Sequence, residues 1–138
     1  MDGSELDFWL GSWQARWDGG EGTNRIAREF DGNVVVERFE GRPSLELTGL
    51  SVSVFDAEAD LWRQTWVDDQ GSYFALAGGT DGDTFVLRTS AVRGGVPVEL
   101  RMTFRDIEPG SFRWLWERST DTGVTWATAW EIIYTRAP

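Results

Sequence analysis

The spacing of tryptophans constrains this chain more than any other feature. Most of the nine fall in pairs two or four residues apart: Trp13/Trp17, Trp62/Trp66, Trp114/Trp116 and Trp126/Trp130. Side chains alternate faces along a β-strand, so each such pair lies on one side of a sheet. A sheet that directs so much aromatic surface one way has to enclose it, and the pattern points to an aromatic-lined barrel.

The same 138 residues contain no histidine, no cysteine and no lysine. Lack of histidine removes the usual general base, the Ser-His-Asp triad, His-ligated haem and nearly all zinc sites. Lack of cysteine excludes disulfides and leaves the redox compartment unmarked. The net charge of −10, from 13 arginines and 23 acids, disfavours nucleic acid and anionic membranes as partners. Arginine as the only basic side chain fits either many buried, bidentate contacts or a coding bias of the source. At 41% hydrophobic and 14% aromatic, residues 1–138 read as one globular domain with its own core. No apolar run is long enough to span a bilayer, and Met1 to Glu5 lacks the features of a signal peptide. A cytoplasmic location, without cofactor or metal, is the expectation.

After the first ten residues the chain reads as β almost throughout. Candidate strands are 11–18, 23–31, 33–41, 47–56, 61–69, 71–78, 83–92, 96–106, 111–120 and 124–136. Turn signals separate them, among them Gly19-Gly20, Asp31-Gly32-Asn33, Gly78 to Gly82, Gly94-Gly95 and Asp121 to Gly123. The expected fold is all-β: a single antiparallel up-and-down barrel of about ten strands, closed so that no edge is exposed. A short helical turn precedes it, with Ser4 as N-cap, Asp7 at N3, and Leu6, Trp9 and Leu10 on one face.

Phe8-Trp9-Leu10-Gly11-Ser12-Trp13 is a short helical turn followed by Gly-x-Trp. It resembles the opening of the calycin superfamily, the lipocalin, fatty-acid-binding-protein and nitrobindin barrels. That resemblance implies that Trp13 plugs one end and packs against a last-strand arginine, here Arg136. Phe55-Asp56, Trp62 to Asp68, Trp116 to Ser119 and Thr125-Trp126 further resemble uncharacterised bacterial lipocalin-like domains of this length. Those domains share no established activity. Nitrobindin-type haem binding uses a histidine ligand, so it does not carry over to a chain without one.

Ser119-Thr120-Asp121-Thr122-Gly123-Val124-Thr125-Trp126 matches the Asp-box pattern S-x-D-x-G-x-T-W. It implies a hairpin held by Asp121, with Gly123 at positive φ and Trp126 packed under the turn. The motif resembles those of sialidase propellers, where it is structural, and one copy in so short a chain predicts a hairpin and no sialidase. The acids around Asp56 to Asp60 and at Asp81 and Asp83 lack the pattern of a calcium loop, and no metal site is expected.

Parity divides the remaining aromatics. With Trp13 and Arg136 inward, the last strand's inner row is Trp126, Thr128, Trp130, Ile132 and Tyr134. Phe112, Trp114 and Trp116 form a second row, and Val98, Leu100, Met102 and Phe104 a third. The alternate rows, Arg101, Thr103 and Arg105 and then Arg113, Leu115 and Glu117, read as solvent-facing. Polar residues interrupt the inner rows: Glu37 between Val35 and Phe39, Gln64 between two tryptophans, Arg28 between Ile26 and Phe30. Glu37 and Arg28 are open to three readings: a buried pair, a ligand's polar anchor, or surface positions reached through a bulge.

Aromatic walls with isolated polar groups describe a ligand pocket. The expectation is a small apolar or aromatic ligand, with Arg28, Glu37, Gln64, Trp66, Met102, Trp116, Trp130 and Tyr134 as its contacts. The alternative is a cofactor-independent cyclase, isomerase or decarboxylase, which requires Tyr134, Arg28 and Glu37 to converge in one pocket. An interaction module using the outer face is a third reading, and a homodimer is allowed. The acidic, arginine-studded exterior offers no obvious apolar patch for it.

Overall fold

Along Gly20–Glu29, here β2, Gly22, Asn24 and Ile26 face inward between exposed Glu21, Thr23, Arg25 and Ala27. This alternation of small or apolar with charged side chains is what one buried face of a sheet demands. The other strands are β1 (Gly11–Trp17), β3 (Val34–Glu40), β4 (Thr48–Asp56), β5 (Leu61–Asp68), β6 (Tyr73–Asp81), β7 (Thr84–Arg93), β8 (Val96–Glu108), β9 (Ser111–Ser119) and β10 (Ala127–Arg136). In the computed structural model, which describes all 138 residues, each strand pairs antiparallel with its chain neighbours. β1 meets β10, so the up-and-down sheet closes into a ten-stranded barrel. No helix is long and apolar enough to cross a membrane.

The closing seam is short. β1 and β10 pair only from Trp13–Arg136 to Arg16–Ile133, and above that point Trp17 packs edge-on against Trp130 with ring centres 5.4 Å apart. The opposite end is sealed by a 3-10 turn, Asp7–Trp9, which carries buried Leu6 and Trp9 into the barrel base. Phe85, Phe104, Phe112 and Trp62 fill the space above it, largely in edge-to-face contacts. Such geometries suit the ring quadrupoles and add to the burial of apolar area.

The boundaries depart from expectation where a residue has a second use. Ser4 is no N-cap: its hydroxyl donates to Asp2, and Leu6 occupies the cap position. Phe30 leaves the inner row altogether; with φ at 53° it begins the 30–33 turn and is 75% exposed. Gly78 and Gly79 lie inside β6 rather than in its turn. A Cβ on Gly78 would collide with the Val86 carbonyl of β7, and one on Gly79 would meet the Met1 side chain. These glycines permit close approach instead of reversal. Residues 124–126 stay in the β9–β10 loop, so β10 begins at Ala127.

A bulge changes the last strand further. Register passes from Thr128↔Glu117 to Trp130↔Trp116, leaving Ala129 without a partner. The extra residue reverses parity, so Trp130 faces inward and Thr128 outward, while Trp126, in the preceding loop, lies outside against Arg101. The outer rows are also less wet than expected: Thr103, Leu115 and Glu117 are buried on that face. Nor is the exterior free of apolar surface, because Val52, Val54, Val67 and Tyr73 are exposed together on β4 to β6.

Candidate functional site

The nine tryptophans occupy three environments. Trp9, Trp13 and Trp62 are buried in the sealed base. Trp17, Trp66, Trp114, Trp116 and Trp130 surround the open end and pack against the core while remaining partly accessible. Trp126 stands outside, its ring centre 3.9 Å from the Arg101 guanidinium.

Between the aromatic base and the open end lies a polar layer. Glu37 of β3 accepts hydrogen bonds from Asn24 Nδ2 of β2 (2.7 Å) and Ser51 Oγ of β4 (2.7 Å). The Asn24 amide also donates to the Tyr134 hydroxyl of β10 at 3.3 Å, and Tyr134 stacks on Phe112 with ring centres 4.7 Å apart. Gln64 of β5 donates to Ser53 Oγ at 2.9 Å. Asn24 Oδ1 and Gln64 Oε1 are buried without a donor. Both are acceptors, so the layer is short of hydrogen-bond donors.

Burial dominates the electrostatics here. It pushes the Glu37 carboxyl above the ordinary carboxylate range, against the opposing hydrogen bonds from Asn24 and Ser51. Burial also raises Tyr134 well above a free phenol, reinforced by the Glu37 charge, so the hydroxyl keeps its proton. Neither group has a cation beside it. Arg28, the expected partner of Glu37, faces the sealed end. There it donates to the Gly3 and Gly32 carbonyls and pairs with Asp7 at 2.7 Å. Side-chain parity placed Arg28 inward, but strand length carries it past the polar layer to clamp the N-terminal segment. The convergence required of a catalytic trio is met by Glu37 and Tyr134 and fails for Arg28.

Above the polar layer a cavity of about 300 Å³ opens to solvent. Six of the eight expected ligand contacts line it: Glu37, Trp66, Met102, Trp116, Trp130 and Tyr134. Gln64 lies outside its lining, paired to Ser53, and Arg28 lies at the other end of the barrel. The wall also includes Phe39, Leu47, Phe74 and Trp114, with Asp68 near the rim. Phe74, Trp114, Leu47 and Asp68 all follow from strand alternation, Leu47 two residues before inward Gly49 and Asp68 two after Trp66, and were legible in principle. Trp66 Nε1 donates to Asp68 at 2.9 Å, which fixes the indole against the wall. Burial, the largest single influence on Asp68, pushes its carboxyl up. Donors from Trp66, Ser72 and Gln70 together outweigh it and hold Asp68 below the usual range.

The structural residues sit apart from the cavity. Arg136 lies 4.2 Å from the Trp13 ring centre and donates to the carbonyls of Leu10, Phe8 and Pro109. Gly11, at φ +120°, has no room for a Cβ, which would strike that guanidinium. In the 119–126 hairpin Asp121 accepts from Thr125 N (2.9 Å), Thr125 Oγ1 and Ser119 Oγ (2.7 Å). Gly123 has φ +85° and its carbonyl accepts from Trp126 Nε1 at 3.1 Å. Among known proteins, no family model matches the chain and no curated protein matches it.

Proposed function

We propose that this barrel binds a small apolar or aromatic molecule in the cavity above its polar layer. One observation carries the reading: side chains fill the base, whereas four tryptophans and two phenylalanines at the open end surround about 300 Å³ of unfilled space. That volume lies at the lower bound of small-molecule sites, and an apolar wall with few polar groups is their usual composition. The calycin reading belongs to this proposal. Gly11, Trp13 and Arg136, with a short turn sealing one end, support it, because ligand binding at the open end is what such barrels have in common.

Titrating tryptophan emission with neutral probes such as 2-phenylethanol and cyclohexanol tests the proposal. Saturable quenching that Trp116→Ala weakens is the expected result. A linear response to every probe would overturn it. A second reading, cofactor-independent catalysis, draws support from the contact of Glu37 and Tyr134 through Asn24 at the cavity floor. Under that reading a bound probe of the right class is turned over rather than released unchanged, which product analysis by mass spectrometry detects.

A further inference from the structure

We infer that the molecule held in this cavity carries a protonated amine, whose ammonium group pairs with the Glu37 carboxylate. The inference rests on the binding function proposed above and adds the chemical class of the ligand.

Glu37 is 8% exposed, yet its only partners are the neutral donors Asn24 and Ser51. The chain's ion pairs all engage other carboxylates. A carboxylate taken from water without a cation is costly, and the cost falls when a cation arrives. The surroundings are already built for one. The cavity wall contains two carboxylates, Glu37 and Asp68, and no arginine. An ammonium is a donor with no acceptor capacity, so it suits a wall that holds carboxylates and no cation.

The wall above Glu37 points the same way. Trp66, Trp114, Trp116 and Trp130 present indole rings around the space, and the Trp114 and Trp116 planes are within 5° of parallel. Indole faces attract cations through the ring quadrupole, most strongly where water is excluded. An aromatic body flanked by these rings with its ammonium on Glu37 satisfies cage and carboxylate together. An organic anion has a competing place with two arginines: Arg93 and Arg118 line a recess next to the cavity that shares Phe74 and Trp116. An acid bound with its carboxylate there would leave Glu37 unused.

Three probes of one shape separate these cases: 2-phenylethylamine, 2-phenylethanol and 3-phenylpropanoate, titrated calorimetrically at neutral pH against the wild type and Glu37→Gln. The amine is expected to bind the wild type at least about tenfold more tightly than the alcohol. In Glu37→Gln that preference disappears, the amine binding no more tightly than the alcohol. Equal binding of amine and alcohol overturns the amine inference and leaves the binding function standing. Tighter binding of 3-phenylpropanoate overturns it in favour of the Arg93/Arg118 recess. Loss of all ligands in a Glu37→Gln protein that still melts cooperatively, at or above the wild-type temperature, also overturns it, since Glu37 would then act by shaping the cavity. Absence of binding by all three to the wild type overturns the proposed function together with this inference.

Discussion

Gly49 of β4 stands where the Trp66 indole crosses that strand, so close that a Cβ on Gly49 would collide with the ring edge at Cη2 and Cζ2. Its side of the strand faces the barrel interior, so anything larger than hydrogen pushes the indole away from the wall and into the cavity. Gly49→Ala is therefore expected to weaken probe binding by about tenfold or more and to cost about 1–3 kcal/mol through overpacking. Calorimetric titration and urea denaturation measure the two effects. Unchanged affinity would mean that Trp66 does not form the ligand wall.

Arg136→Ala removes the stack on Trp13 and the donors to three carbonyls at the sealed end. With the side chain partly open to solvent, a loss of roughly 1–3 kcal/mol is expected. Lysine at the same position recovers only part of it, because a point charge cannot stack on the ring and reach three acceptors in a planar fork. Thermal melts of the three proteins rank them.

Glu37 gives stability an unusual dependence on pH. At pH below its unfolded value of 4.5 both states hold the proton and burial costs nothing. Above it the unfolded chain ionises first, because burial raises the folded-state value, so stability falls as pH rises through that interval. Glu37→Gln should therefore melt at a higher temperature than the wild type at neutral pH, with the gap closing toward pH 4. A gap that persists undiminished at pH 4 would show that the carboxyl's ionisation is not its cause.

Asp121 acts in the opposite sense. Its donors, Thr125 first, hold the carboxyl at about 2, below its ordinary 3.8. Its contribution is present above pH 3.8 and is lost as pH falls toward 2. Asp121→Asn should speed amide exchange at Thr125 and Gly123 at neutral pH while leaving the β3 amides protected. Equal exchange in wild type and variant would remove Asp121 from its role as the hairpin's organiser.

Tryptophan parity, the turn dipeptides and the missing edge make the barrel legible in the sequence, and parity alone gathers most of the cavity wall. It failed where one residue changed the count. Parity runs unbroken from Asn24 through Ile26 to Arg28, so Arg28 does face inward. Parity carries no information about height along the barrel, however, and Arg28 sits at the wrong end for the cavity. Phe30 was lost to a positive-φ turn that its bulk disfavours. The Gly78-Gly79 pair looked like a reversal because a glycine needed for close approach and one needed for a turn are the same letter. Asn24 escaped notice because a buried amide that joins Glu37 to Tyr134 looks, in sequence, like any polar residue in a strand.

The unpaired Ala129 has a consequence beyond its own position. An indole has an apolar face and one polar N–H, so it suits wall or exterior, and the residue count of a strand helps decide which it becomes. Trp126 and Trp130 are four residues apart and would share a side in an unbroken strand; with one residue inserted at Ala129 and Trp126 left in the preceding loop, one indole reaches the cavity and the other lies outside against Arg101. A chain of this kind can redraw its interior by changing length at one point, without altering a single aromatic residue.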